Sequence, residues 1–138
     1  MKVNEVRRVI AADKDRIWAI LTDATTLAGA DTGITRIEGE IVQGTKIKLW
    51  ADVAPGQVFK INIRAVSPYQ MTWDSGMPLG LFKGVRRFAL NDVAEGCEFH
   101  MREEYTGLML PLIWRSMPDL QPSFDQFAAA LAGLVEEV

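Results

Sequence analysis

The sequence predicts an α+β fold, in which a curved antiparallel β-sheet wraps around a long C-terminal α-helix and short helices follow the first strand. Three observations carry this expectation. From Pro118 towards Val138 the large apolar residues Leu120, Phe124, Phe127, Leu131, Leu134 and Val135 advance in steps of four, three, four, three and one. That spacing keeps side chains on one face of a 3.6-residue helix. Between Ile34 and Thr106 the pattern changes to short runs of alternating apolar and polar residues, separated by Gly, Pro and Asn, as in strands joined by tight turns. A helix with two Phe rings on one side also needs a concave apolar partner. A curved sheet supplies one, and the space between two such layers is a natural place for a small molecule.

Each element follows in order. Residues 2–11 mix charge with Val3, Val6, Val9 and Ile10 and fit a first strand. Asp13 has the chemistry of an N-cap, and Asp15 suits the first turn of a helix running through Leu21. Ile17, Trp18 and Leu21 share one face of that helix, which makes Trp18 a core residue. Residues 23–33 are small and polar, a connection with room for one short helical turn. Five or six strands are expected next: 34–41, 45–53, 58–66, 71–74, 82–90 and 97–106. Ala54-Pro55-Gly56-Gln57, Ser67-Pro68 and Asn91 to Gly96 provide the turns. Short turns between successive strands mean an antiparallel meander.

The 138 residues suit one domain, residues 1–138, with enough chain to bury a core without disulfides. Fifteen basic against eighteen acidic residues give a formal charge of −3, and no basic run exceeds Arg7-Arg8 or Arg86-Arg87. Nucleic acid is therefore not an expected partner. One cysteine, Cys97, and one histidine, His100, make neither a zinc site nor a disulfide; no metal or cofactor is expected. The N-terminus has no apolar signal-peptide core, and no apolar run reaches the length of a membrane span, so the cytoplasm is the expected location.

Two segments are apolar yet irregular: Ser75 to Leu81, and Gly107 to Trp114. They are expected to cap the ends of the core. The sharper alternative makes them lids over a pocket mouth or a subunit contact, with a homodimer formed through residues 108–114.

With its residues, this order of elements resembles the START-like superfamily, also called SRPBCC or polyketide cyclase/dehydrase-like, which has the helix-grip fold. Ile10-Ala11-Ala12-Asp13-Lys14-Asp15-Arg16-Ile17-Trp18 and its continuation to Asp23 resemble the family's opening. Gly84-Val85-Arg86-Arg87-Phe88-Ala89-Leu90 is similar to its "Gly-x-His-x-Phe-x-Leu" strand. Gly96 to Gly107 is similar to its "Gly-Thr-x-Phe-x-x-x-Glu-x-Phe-x-Gly" strand. Arg86 stands where His is frequent, Cys97 replaces a common Thr, and Leu27-Ala28-Gly29-Ala30 stands where many relatives carry a Trp shortly after the first Asp. The resemblance implies binding of an apolar ligand, with some members acting as cyclases or aromatases and others as lipid carriers or chaperone cofactors.

Counting sides on the last two strands puts Arg86, Phe88 and Leu90 on one face, and Phe99, Met101, Glu103 and Tyr105 on the matching face of the next. The bulky apolar members turn that face inward. Arg86 and Glu103 then lie inside, where an unpaired charge is costly, so they are expected to pair. The pair is either a structural salt bridge or a polar anchor for a ligand carboxylate, carbonyl or hydroxyl. Phe59, Ile61, Trp73, Phe88, Phe99, Met101, Phe124, Phe127 and Leu131 are expected to form the apolar wall, with Arg86, Glu103 and Tyr105 orienting the guest. Trp50 alternates with Lys48 and Asp52, which assigns it to the outer face or an edge. His100 falls among Glu98, Arg102 and Glu104, and is expected in solvent; Cys97 lacks the basic neighbour that makes a thiolate.

Binding of a small hydrophobic or amphipathic molecule is therefore the leading expectation. The first alternative is a metal-free polyketide cyclase or aromatase acting on a poly-carbonyl substrate through Tyr105, Glu103 or Arg86. The second is a chaperone-cofactor-like interaction module.

Overall fold

The computed structural model describes residues 1–136. Strand β1 (Lys2–Ile10) leads into α1 (Lys14–Leu21) and α2 (Ala24–Gly29). Six more strands follow: β2 (Ile34–Glu38), β3 (Lys46–Ala51), β4 (Phe59–Ser67), β5 (Gln70–Gly76), β6 (Lys83–Val93) and β7 (Gly96–Thr106). Helices α3 (Leu110–Ser116) and α4 (Gln121–Glu136) complete the chain. The sheet has seven strands in the order β1-β7-β6-β5-β4-β3-β2, with every neighbouring pair antiparallel. Only the placement of β1 beside β7 departs from a plain meander. The architecture is the predicted α+β helix-grip arrangement.

Local chemistry accounts for the element boundaries. The Asp13 carboxylate accepts from the backbone N–H groups of Asp15 and Arg16 and starts α1. Asp23 does the same for Thr25 and Thr26 and also accepts from the Thr26 hydroxyl, so α2 is a true two-turn helix. Strand β2 stops before the expected Ile41 because Gly39 takes φ +115°, and a Cβ there would lie 2.9 Å from the Ile47 side chain. The C-terminal helix starts later than its periodicity implies. Asp119 accepts from the Gln121 N–H at 3.1 Å, so Pro118 to Leu120 form the approach to α4. Residues 137 and 138, to which the same periodicity extends, lie outside the described residues. The apolar segment expected as an irregular cap is partly helix: α3 begins at Leu110, where Pro111 is tolerated in the first turn.

The core lies between the inner face of the sheet and α4. Phe124, Phe127, Leu131 and Val135 are buried, joined by Ala128 and Ala132, whose small side chains let the helix approach the strands. Phe127 stacks on Phe99 with centroids 5.9 Å apart and lies 6.2 Å from Phe88. Ile17, Leu21 and Leu27 close the core from α1 and α2. Trp18 packs against this core from its margin. It is half-buried, with its ring set edge-on to Tyr69 at 6.1 Å. Trp50 is half-buried and pairs across strands with Arg36, whose guanidinium lies 5.0 Å from its ring centroid.

Candidate functional site

Cross-strand register brings the chemistry together. On the inner face one row runs through Trp73, Arg86, Glu103 and Asn4, each directly opposite the next on β5, β6, β7 and β1. Two residues along the strands in one direction lie Met71, Phe88, Met101 and Val6, which fill the space beneath α4. Two residues in the other direction the row reads Ser75, Gly84, Tyr105 and Lys2. Ser75 and Gly84 are too small to reach the helix layer, so here the packing opens.

The result is a cavity of about 590 Å³, within the usual range for small-molecule sites. Trp73, Arg86, Glu103, Met101 and Tyr105 line it from the sheet, and Phe124 and Phe127 from α4. Phe59 and Ile61 extend the wall along β4, while Phe82, Ile113 and Met117 close the far end. Partly exposed Val53, Val58 and Met77 rim it.

Arg86 and Glu103 are the charged pair of the sheet wall. Arg86 donates from Nε to Glu103 Oε1 at 2.7 Å, with side chains 24% and 14% exposed. The predicted ion pair therefore exists and faces the cavity. Its guanidinium lies over the Phe124 ring of α4, 4.7 Å from the centroid. Nε makes the one side-chain hydrogen bond of Arg86 among the described residues, so the terminal N–H groups remain to meet a guest. A Cβ at Gly84 would lie 2.5 Å from Glu103 Oε2, so the glycine makes room for this carboxylate.

Tyr105 is clamped. Its ring lies 6.4 Å from Phe82 and 5.2 Å from Trp114 of α3. The Asn4 amide donates to its hydroxyl at 3.2 Å. Burial pushes the phenol well above its ordinary pKa, and the Glu103 charge adds to the effect, so it stays protonated. The hydroxyl accepts from Asn4 and keeps its own proton to give.

Three residues expected on the wall are elsewhere. Phe88, Phe99 and Leu131 do not border this cavity but belong to the buried core with Met71, Ala128 and Ala132. His100 is a second correction: its side chain is 20% exposed on the outer face, with Nε2 against the Glu5 carboxylate. It remains on the opposite side of the sheet from the cavity. That contact, with Arg102 nearby, holds Glu5 below the usual carboxylate range. Cys97 is buried, and desolvation pushes its thiol up, away from nucleophilic character. Sequence reasoning missed Asn4, Ser75, Gly84 and the contribution of α3. Asn4 was detectable, since it alternates with Val6 on an inward-facing strand; the contribution of α3 carried no periodic signal.

The family model described as "Polyketide cyclase / dehydrase and lipid transport" matches residues 1–138. The chain belongs to this family. Among solved structures, protein MLL2253 of Mesorhizobium loti has 18% identity and a TM-score of 0.77, with 98% of this chain and 97% of that one covered. The Aha1 dimer of Colwellia psychrerythraea has 18% identity and a TM-score of 0.75, covering 99% and 97%. DynU16, a putative protein in the dynemicin biosynthetic locus, has 17% identity and a TM-score of 0.71, covering 99% of this chain and 48% of that one. These likenesses establish a shared fold. No curated protein matches the sequence. No helix among the described residues is long and apolar enough to cross a membrane.

Proposed function

We propose that this member of the polyketide cyclase/dehydrase and lipid transport family binds a small apolar or amphipathic molecule between the sheet and α4. The observation that carries this reading is the 590 Å³ space with aromatic walls and the paired Arg86 and Glu103 among its lining residues. Apolar area removed from water contributes about 25 cal/mol per Å², before the costs of ordering. Arg86 and Glu103 form a polar anchor in this reading. Because Glu103 already balances the guanidinium charge, the anchor favours a neutral oxygen over a second carboxylate. We read residues 1–138 as one domain working in the cytoplasm.

Native mass spectrometry of protein purified gently from its own host tests the reading. A co-purifying small molecule that is lost in Arg86→Met supports it. An empty protein that also fails to take up a panel of apolar probes refutes it.

The family description also covers cyclases and dehydrases. In a catalytic reading the protonated Tyr105 is the general acid and Glu103 the base for enolisation of a poly-carbonyl chain. Turnover of a poly-β-keto mimic that is lost in Tyr105→Phe would select catalysis, whereas equal rates leave binding alone. Self-association through residues 108–114 is supported by the exposure of Leu108 (87%) and Leu112 (61%). The exposed apolar segment also suits a chaperone-cofactor role. Sedimentation of the wild type beside Leu108→Ser tests the contact; identical monomers would end it.

A further inference from the structure

The outer face of the sheet, away from the cavity, is charged unevenly. Across β2, β3 and β4 its outward residues include Arg36, Lys46, Lys48, Lys60 and Arg64, all exposed, while Ile47, Leu49 and Ile63, which alternate with them, are buried. Glu38 is the one carboxylate on this side of the three strands, and Arg36 holds it. Arg64 is held by Asp74 of β5 at 2.5 Å. The side chains of Lys46, Lys48 and Lys60 make no ion pair or hydrogen bond among the described residues. Lys48 even stands directly opposite Lys60 in the register, an unfavourable placement for two like charges. Charges on an edge strand deter pairing with other chains. That accounts for Arg36 and Glu38 on β2, but β3 and β4 are interior strands. The whole chain carries −3, so this cationic region runs against the balance of the molecule.

We propose that this face is an interaction surface for single-stranded nucleic acid, whose phosphates are met by Lys46, Lys48 and Lys60. The expectation against nucleic acid rested on the absence of a long basic run, and a surface assembled from three strands escapes that criterion. Neighbouring strands lie about 4.8 Å apart and residues on one face of a strand about 6.7 Å apart, so the lysines repeat on the scale of successive phosphates in an extended strand. Each is a compact charge on a flexible stem, which meets a phosphate without a fixed geometry. Beside Lys48, two residues along β3, stands half-buried Trp50, with the Arg36 guanidinium over its ring at 5.0 Å from the centroid. This pair of delocalised groups is a surface on which a base can pack, a contact that an acidic polypeptide does not offer. A bilayer calls for apolar anchors as well as charge, and none of the exposed large hydrophobic residues lies on the outward side of these three strands. The sheet curves around α4, so its outer side is convex and suits a flexible single strand better than a stiff duplex.

Fluorescence anisotropy of a labelled oligothymidylate of about 12 nucleotides, titrated with the full-length protein between about 50 and 200 mM salt, tests the proposal. For single strands each neutralised phosphate contributes about −0.7 to the slope of log affinity against log salt. The three lysines therefore predict a slope of about −2, flattening to about −0.7 in Lys48→Gln/Lys60→Gln. Trp50→Ala is expected to weaken binding about tenfold at constant salt and to leave the slope at about −2. Both lysines are exposed, so their variant decides the matter should Trp50→Ala not fold. An oligonucleotide that stays unbound at the lowest salt, or a slope that is the same in the lysine variant, overturns the proposal. Polyglutamate binding as tightly as the oligonucleotide would make this a general anion surface, and tighter binding of vesicles rich in anionic phospholipid would make it a membrane contact. Either result overturns nucleic acid as the partner.

Discussion

Replacing Gly84 by alanine probes the charged pair of the cavity wall with one added carbon. The new Cβ would stand 2.5 Å from Glu103 Oε2 and 3.5 Å from its Cδ. To reach tolerable contact the carboxylate must retreat by about half an ångström to an ångström. It is not free to do so, since Oε1 is held by Arg86 Nε at 2.7 Å and the Arg86 guanidinium in turn lies over the Phe124 ring at 4.7 Å. Losing a hydrogen bond to a charged group costs roughly 1.5–3 kcal/mol. Against this, alanine in a strand recovers about 0.5–1 kcal/mol of the backbone entropy that glycine forfeits. The expected net effect is destabilisation of about 1–2 kcal/mol, or some 4 °C per kcal/mol in melting temperature for a chain of this size. Urea unfolding measures it. The decisive comparison is with Gly84→Ala in an Arg86→Met background, where the carboxylate is untethered and the same substitution should cost less by at least about 1 kcal/mol. A stabilising Gly84→Ala, or equal effects in the two backgrounds, would refute the claim that this glycine exists to seat the ion pair.

Three further expectations follow from the same geometry. Arg86→Met should abolish selectivity for oxygen-bearing probes while costing about 1–3 kcal/mol of stability, and adding Glu103→Gln should return most of the stability but none of the selectivity; calorimetric binding and urea unfolding separate the two. Glu5 is held below the ordinary carboxylate range, chiefly by its hydrogen bond to His100. Its contribution is therefore present above the unfolded carboxylate pKa and lost as pH falls through the lower folded value, so acid unfolding should be shallower in Glu5→Gln. Tyr105 has the opposite sign: its phenol is raised by burial and then by Glu103, so its stabilisation is complete below the unfolded tyrosine pKa and is lost as pH rises beyond it. Spectrophotometric titration should find no phenolate from Tyr105 until well into the alkaline range, and Tyr105→Phe should flatten the fall in stability there.

The fold was legible because its signals are periodic. The 3.6-residue spacing of α4 and the alternation along β4, β6 and β7 specify which faces meet, and the Arg86–Glu103 pair follows from that alternation alone. Element ends were less legible, because they depend on single contacts such as Asp119 to Gln121 and the crowding of Gly39 against Ile47. Alternation identifies the inner face but not how far along it the packing is solid. Phe88 and Phe99 face the same way as Arg86 and Glu103 yet do not border the cavity, since the opening is set by Ser75 and Gly84, residues conspicuous for what they lack.

The pairing of β1 with β7 has a consequence for synthesis. Ile10 must find Cys97 and Lys2 must find Tyr105, separations of 87 and 103 residues, and the Gln121 amide that donates to the Glu5 carbonyl arrives later still. At a ribosomal rate of about 5–20 residues per second, the first strand emerges and waits for several seconds with its hydrogen-bonding edge bare. Val3, Val6 and Val9 are spaced among Lys2, Glu5, Arg7 and Arg8, and charges along an unpaired strand disfavour its annealing to another chain.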